Sequence, residues 1–118
     1  MDVLGELSED DAGAQALSAL RRANAQPHEA DIVKYLRGGT TFVFSPGVVR
    51  DVLGGGGPIG SGSLLTDGEW AWSDTLPYYV EKYHVELPAE FVSAVVAKQF
   101  VQSALGIAEL RKLQLPAR

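Results

Sequence analysis

The stretch Leu64-Leu65-Thr66, Asp67-Gly68, Glu69-Trp70-Ala71-Trp72 limits what this chain can fold into more than any other. Two short runs of strand-forming residues flank a dipeptide that supplies the positive φ angles of a type I′ turn, the signature of a β-hairpin. A two-residue turn at Asp67-Gly68 places Thr66 opposite Glu69 and Leu65 opposite Trp70. Side chains alternate along a strand, so Leu65, Trp70 and Trp72 share one face. That face is expected to be buried, with the two indoles anchoring the sheet to helices.

The rest of the chain supplies those helices and a third strand. Thr40 to Phe44 is rich in β-branched and aromatic residues and reads as a strand with Phe42 and Phe44 on one face. Upstream, Pro27 opens a short helix with Glu29 and Asp31 in its first turn and Ile32, Val33, Tyr35 and Leu36 on its buried side. Gly38-Gly39 stops it through the left-handed conformation that glycine tolerates. After the hairpin, Ser73 caps a helix over about 74–84, whose Leu76, Tyr79, Val80 and Tyr83 complete one helical face while Tyr78, Glu81 and Lys82 point away. Pro88 begins another helix with a stripe of Phe91, Val92, Val95 and Val96. A bend is expected near 98–104, before a terminal amphipathic stretch with Leu105, Ile107, Leu110 and Leu113. Residues 48–53 fit a helical turn or a strand equally, and 54–62, with six glycines in nine positions, read as a surface loop.

These elements make an α+β fold: a small antiparallel sheet of about three strands (40–44, 63–66, 69–72) around the Asp-Gly hairpin, packed with four or five helices. At 118 residues, 46% hydrophobic and 21% charged, the chain has material for a single domain over 1–118 with one core. It has no cysteine, which excludes disulfides and thiolate metal sites. The opening residues lack the basic start and apolar segment of a signal peptide, and no apolar run approaches the roughly 18 residues of a membrane span. A soluble, cytoplasmic protein is therefore expected, with no membrane association.

Charge is unevenly placed. Asp2, Glu6, Glu9, Asp10 and Asp11 carry the whole net charge of −5, since the remaining ten acids equal the ten bases. An acidic opening disfavours nucleic acid, whose binding needs clustered Lys and Arg. It suits either the first turns of a helix running from about 9 to 24, capped by Ser8, or an acidic interaction surface.

No set of catalytic residues stands out. Gly55-x-Gly57-x-x-Gly60 matches the dinucleotide fingerprint in letters only, because it runs into a hairpin rather than opening a helix, and Pro58 interrupts it. Gly60-Ser61-Gly62-Ser63 lacks the spacing of a nucleophile elbow. The two histidines, His28 and His84, lie 56 positions apart with no ligand spacing, so neither a metal nor another cofactor is expected. His84, at a helix end, reads as a cap on the last carbonyls. Its neighbours Tyr78 and Tyr83 make a pocket near Tyr78, Tyr83 and His84 the place to look for a ligand. Tyr78 with Glu81 and Lys82 forms an exposed contact candidate, in line with the enrichment of tyrosine at interaction hot spots.

The stretch from Leu64 to Val92, reading LLTDGEWAWSDTLPYYVEKYHVELPAEFV, resembles a widespread group of small bacterial proteins with an "LTDG-x-W-x-W, then YYV-x-x-Y-H, then LP-x-x-F" signature. The likeness runs from about Ile32 to Val95 and takes in YLRGGT and the SPG turn. It leaves outside the acidic N-terminal segment 1–26 and the C-terminal extension 99–118. Where that group tends to have Pro after the second Trp, this chain has Ser73. The group has no established activity; its small acidic members look like immunity or accessory proteins encoded beside larger partners. The resemblance implies no catalytic residue.

The expectation is thus a non-catalytic protein-interaction domain, of immunity-like or accessory kind, that binds a protein partner through Asp2, Glu6, Glu9, Asp10 and Asp11 or through Tyr78, Glu81 and Lys82. The alternative is a small enzyme or ligand-binding domain with its pocket at Tyr78, Tyr83 and His84. Homo-oligomerisation through the 91–110 region is a third reading.

Overall fold

The computed structural model describes residues 2–4, 19–51, 53–54, 57–102 and 105–112. In chain order these form β1 (Asp2–Val3), α1 (Glu29–Arg37), β2 (Thr40–Val43), β3 (Val49–Arg50), β4 (Pro58–Gly60), β5 (Leu64–Thr66), β6 (Trp70–Ser73), α2 (Leu76–Tyr83), α3 (Ala89–Ala97) and α4 (Ile107–Arg111). The α+β architecture is the one the sequence indicates. Strands β2, β5 and β6 are antiparallel, and β1 adds to β6 in parallel, giving the order β1-β6-β5-β2. A separate two-stranded sheet pairs β3 with β4. The helix expected over about 9–24 falls largely outside the described residues.

The hairpin forms with a different register. Leu65 faces Trp72 and Thr66 faces Ala71, so the tip is Gly68-Glu69 rather than Asp67-Gly68. Side-chain bonding decides this: Asp67 Oδ1 accepts the amides of Glu69 (2.9 Å) and Trp70 (2.8 Å), and Thr66 Oγ1 accepts that of Gly68 (3.0 Å). Such local bonds compete with a plain two-residue turn. Gly68 alone in the turn takes a positive φ, of 100°. Moving the tip by one residue shifts the pairing by two, which preserves the side-chain parity. Leu65 and Trp72 are accordingly buried on one face, and Trp70 packs half-buried against the same core.

Phe91 of α3, fully buried, sits at the centre of that core. Its ring lies 5.5 Å from Trp70, 6.1 Å from Trp72 and 6.1 Å from Tyr35, all edge-on, an arrangement favoured by the ring quadrupoles. The Trp72 indole N–H donates to the Leu36 carbonyl at the end of α1 (2.9 Å). The burial of Leu76, Tyr79, Val80 and Tyr83 follows the helical spacing in full. Leu4, just after β1, is also core, and its amide donates to the Ala71 carbonyl (2.7 Å).

Several local expectations are corrected. Helix α1 ends at Gly38 with φ −86°, not in the left-handed region. The glycine that matters is Gly39, where an added Cβ would lie 2.7 Å from Trp72 Cζ2; close packing, not backbone handedness, requires it. Phe42 is half-buried but Phe44 is 75% exposed, because a bulge between Thr41 and Val43 breaks the two-residue alternation. Residues 58–60, read as loop, pair as β4. Ser73 ends β6, and its hydroxyl accepts the Thr75 amide (3.2 Å), so the cap of α2 falls at Thr75. Helix α3 stops at Ala97, and Gln99 and Phe100 take positive φ angles, which makes the bend expected near 98–104.

Candidate functional site

Asp51 follows directly on β3, and the pairing of β3 with β4 holds it under α2. It is 5% exposed. Oδ1 accepts the amides of Leu53 (2.7 Å) and Gly54 (2.9 Å), and Oδ2 accepts the hydroxyls of Tyr78 (2.7 Å) and Tyr83 (2.6 Å). Lys82 Nζ lies 3.8 Å from Oδ2 and 5.5 Å from the centroids of both phenol rings. Burial pushes the carboxyl pKa up, but the Tyr83 and Tyr78 hydroxyls and the two amides outweigh it and bring it to about 2. The same bond to Asp51 raises the Tyr83 pKa, and the Tyr78 hydroxyl raises that of Lys82. With four donors and a cation around it, this carboxylate is saturated. It ties the turn after β3 to α2 and has no capacity left for a substrate.

Tyr78 is therefore not the exposed contact residue expected: it is half-buried with its hydroxyl turned inward. Glu81 is exposed beside Arg37, 3.5 Å away across α1 and α2. The structure also separates the expected pocket trio. Tyr78 and Tyr83 converge on Asp51, whereas His84 turns to Glu29, its Nδ1 lying 2.9 Å from Oε1 and 3.0 Å from Oε2. His84 is the left-handed C-cap of α2 (φ 54°), and its own amide donates to the Val80 carbonyl (3.0 Å). Its ring goes to the carboxylate, not to the last helical carbonyls.

His84 opens on a cleft of about 520 Å³. One wall is the segment Arg22–Pro27, held against 83–86 by Arg22 N–H to the Tyr83 carbonyl (3.3 Å), Glu86 N–H to the Leu20 carbonyl (2.8 Å) and Gln26 Nε2 to the Val85 carbonyl (2.8 Å). The other wall is Leu87 with Ala89 and Val92 of α3. Arg22 is paired with Glu86 at 2.5 Å. Sequence reasoning found His84 but not its partner. Glu29 carried only the signal of an acid in a first helical turn.

The glycine-rich loop leads away from nucleotide chemistry. Asp74 Oδ2 accepts the Ser61 amide (3.0 Å) and hydroxyl (2.7 Å), and Oδ1 accepts the Gly62 amide (3.0 Å). The Ser61 and Gly62 amides thus hold a carboxylate of the chain. Among the described residues no three of His, Asp or Glu converge as a metal site requires, and no helix is long and apolar enough to cross a membrane.

Two apolar surfaces remain uncovered among the described residues. Strand β2 is the last in its sheet; Val43 at its end, Phe44 just after it and Val48 just before β3 are 45%, 75% and 64% exposed. In the 91–110 region, Val96 and Val101 are exposed as well. Asp2 lies in β1; Glu6, Glu9, Asp10 and Asp11 lie outside the described residues. Comparison of the chain with family models, with curated proteins and with solved structures gives no match.

Proposed function

We propose that this chain is a non-catalytic protein-interaction domain whose contact surface is the β2 edge. The observation that carries the reading is a strand edge with no neighbouring strand among the described residues, with Val43 in the strand and Phe44 just after it exposed. An edge offers a row of backbone donors and acceptors, and proteins ordinarily blunt it with charge or cover it. Here a bulge between Thr41 and Val43 bends the edge, but it carries Thr41, Val43 and Phe44 rather than charge, which suits an extended segment of a partner adding as a further strand, with backbone bonds giving affinity and side chains giving selectivity. The saturated state of Asp51 supports the non-catalytic half of the reading. The resemblance over residues 32–95 adds the narrower version, an immunity-like inhibitor or accessory protein.

The test is capture from native lysate by the tagged chain and by a Val43→Lys/Phe44→Glu variant. Both sites are exposed, so the variant is expected to keep its unfolding free energy within about 0.5 kcal/mol. A single stoichiometric protein retained by the parent and lost by the variant is the expected result. Equal capture by both, or capture by neither, overturns the proposal.

A further inference from the structure

We infer that the cleft beside α3 is a small-molecule site, independent of the β2 edge, and that it selects a largely apolar ligand bearing a hydroxyl donor, with His84 Nε2 as the acceptor. Three observations converge on it. The cavity, about 520 Å³, is within the range of ligand sites, and Pro27, Leu87, Ala89 and Val92 give it an apolar lining. Its polar groups are mostly committed: Arg22 to Glu86, Gln26 to the Val85 carbonyl. His84 differs. A carboxylate only accepts, so the Glu29 contact fixes the proton of a neutral ring on Nδ1 and leaves Nε2 as a lone-pair acceptor. Among the described residues Nε2 has no partner. His84 is among the residues that line the cleft and Glu29 is not.

His84 takes the left-handed conformation common at helix ends (φ 54°, ψ 44°). The charges around the cleft select against anions, because Glu29 stands beside it while Arg22 and Glu86 neutralise each other. A ligand carboxylate or phosphate is thereby disfavoured relative to a neutral hydroxyl.

The probes are phenol, anisole and benzoate, matched in ring size and differing in donor, acceptor and charge. Binding is followed by amide chemical-shift titration at about pH 8. Phenol is expected to shift the amides of Asn24, Ala89 and Val92, with anisole weaker by about fivefold to tenfold, the worth of one hydrogen bond, and benzoate weaker still. In His84→Gly, which suits the left-handed backbone and so should fold, phenol falls to the level of anisole. In Glu29→Gln the amide both donates and accepts, the tautomer is no longer fixed, and the preference for phenol over anisole shrinks. Equal affinities of the parent for phenol and anisole overturn the inference, as do phenol-induced shifts that avoid the cleft or a preference unchanged in both variants.

Discussion

Asp51 shows how one side chain can organise a region that has little regular structure. It draws two amides, two phenols and a lysine to a single carboxylate. Its pKa of about 2 lies below the ordinary 3.8. A carboxylate depressed on folding stabilises the native state at pH values above its unfolded pKa and loses that contribution as pH falls through the folded value. The difference corresponds to about 2 kcal/mol, present above about pH 4 and lost on the way to about pH 2. Urea unfolding measured across that window should show the loss in the parent and a markedly flatter profile in Asp51→Asn. Asp51→Ala should cost about 3 kcal/mol at neutral pH, because it leaves the hydroxyls of Tyr78 and Tyr83 buried without their acceptor. No loss of stability in the alanine variant would remove the clamp reading.

At the scale of elements, the hairpin and α1 are locked together at one close approach. Gly39 lies against the Trp72 ring and Leu65, while the Trp72 indole reaches across to the Leu36 carbonyl. An Ala at position 39 has no room without moving the indole off that bond. Gly39→Ala is therefore expected to cost about 2 kcal/mol as an overpacked contact, with a change in the near-ultraviolet signal of tryptophan. A substitution tolerated within about 0.5 kcal/mol would mean that the indole relaxes freely. The bulge in β2 is the other decision made at this scale. It turns Phe44 to solvent, where strict alternation from Phe42 would have put it on the half-buried face.

Over the whole molecule, the start of the chain enters the fold in a way its composition does not announce. Leu4 is 1% exposed and bonds through its amide to Ala71. Leu4→Ala should destabilise by about 3 kcal/mol, the usual cost of truncating a buried leucine, as read from the denaturant midpoint. An effect under about 1 kcal/mol would place β1 outside the cooperative unit. The acidic residues of the same segment are expected to act at longer range. Replacing Asp2, Glu6, Glu9, Asp10 and Asp11 with neutral amides should weaken capture of a partner most at low salt, where screening is least. Binding that ignores the change would remove the acidic surface from the interaction. Light scattering at high concentration tests the exposed valines of the 91–110 region in the same spirit: a strict monomer disposes of self-association there.

Local chemistry alone determined the hairpin's existence, the buried faces of α1 and α2, and the break after α3. Each depends on periodicity or turn residues within a dozen positions, such as Leu76, Tyr79, Val80 and Tyr83 on one helical face. The face of the hairpin was legible even though its register was not, since an error of two residues leaves side-chain parity intact. What the sequence left open was every contact between distant segments. Asp51 reads as a lone acid in an ambiguous run until α2 brings two phenols to it, and Glu29 as a helix-start acid until His84, 55 positions on, meets it. The pairing of residues 58–60 and the parallel addition of β1 were hidden for the same reason. Such partners are chosen by which elements pack together, and a hydrogen bond across tens of residues leaves no period in the sequence to read.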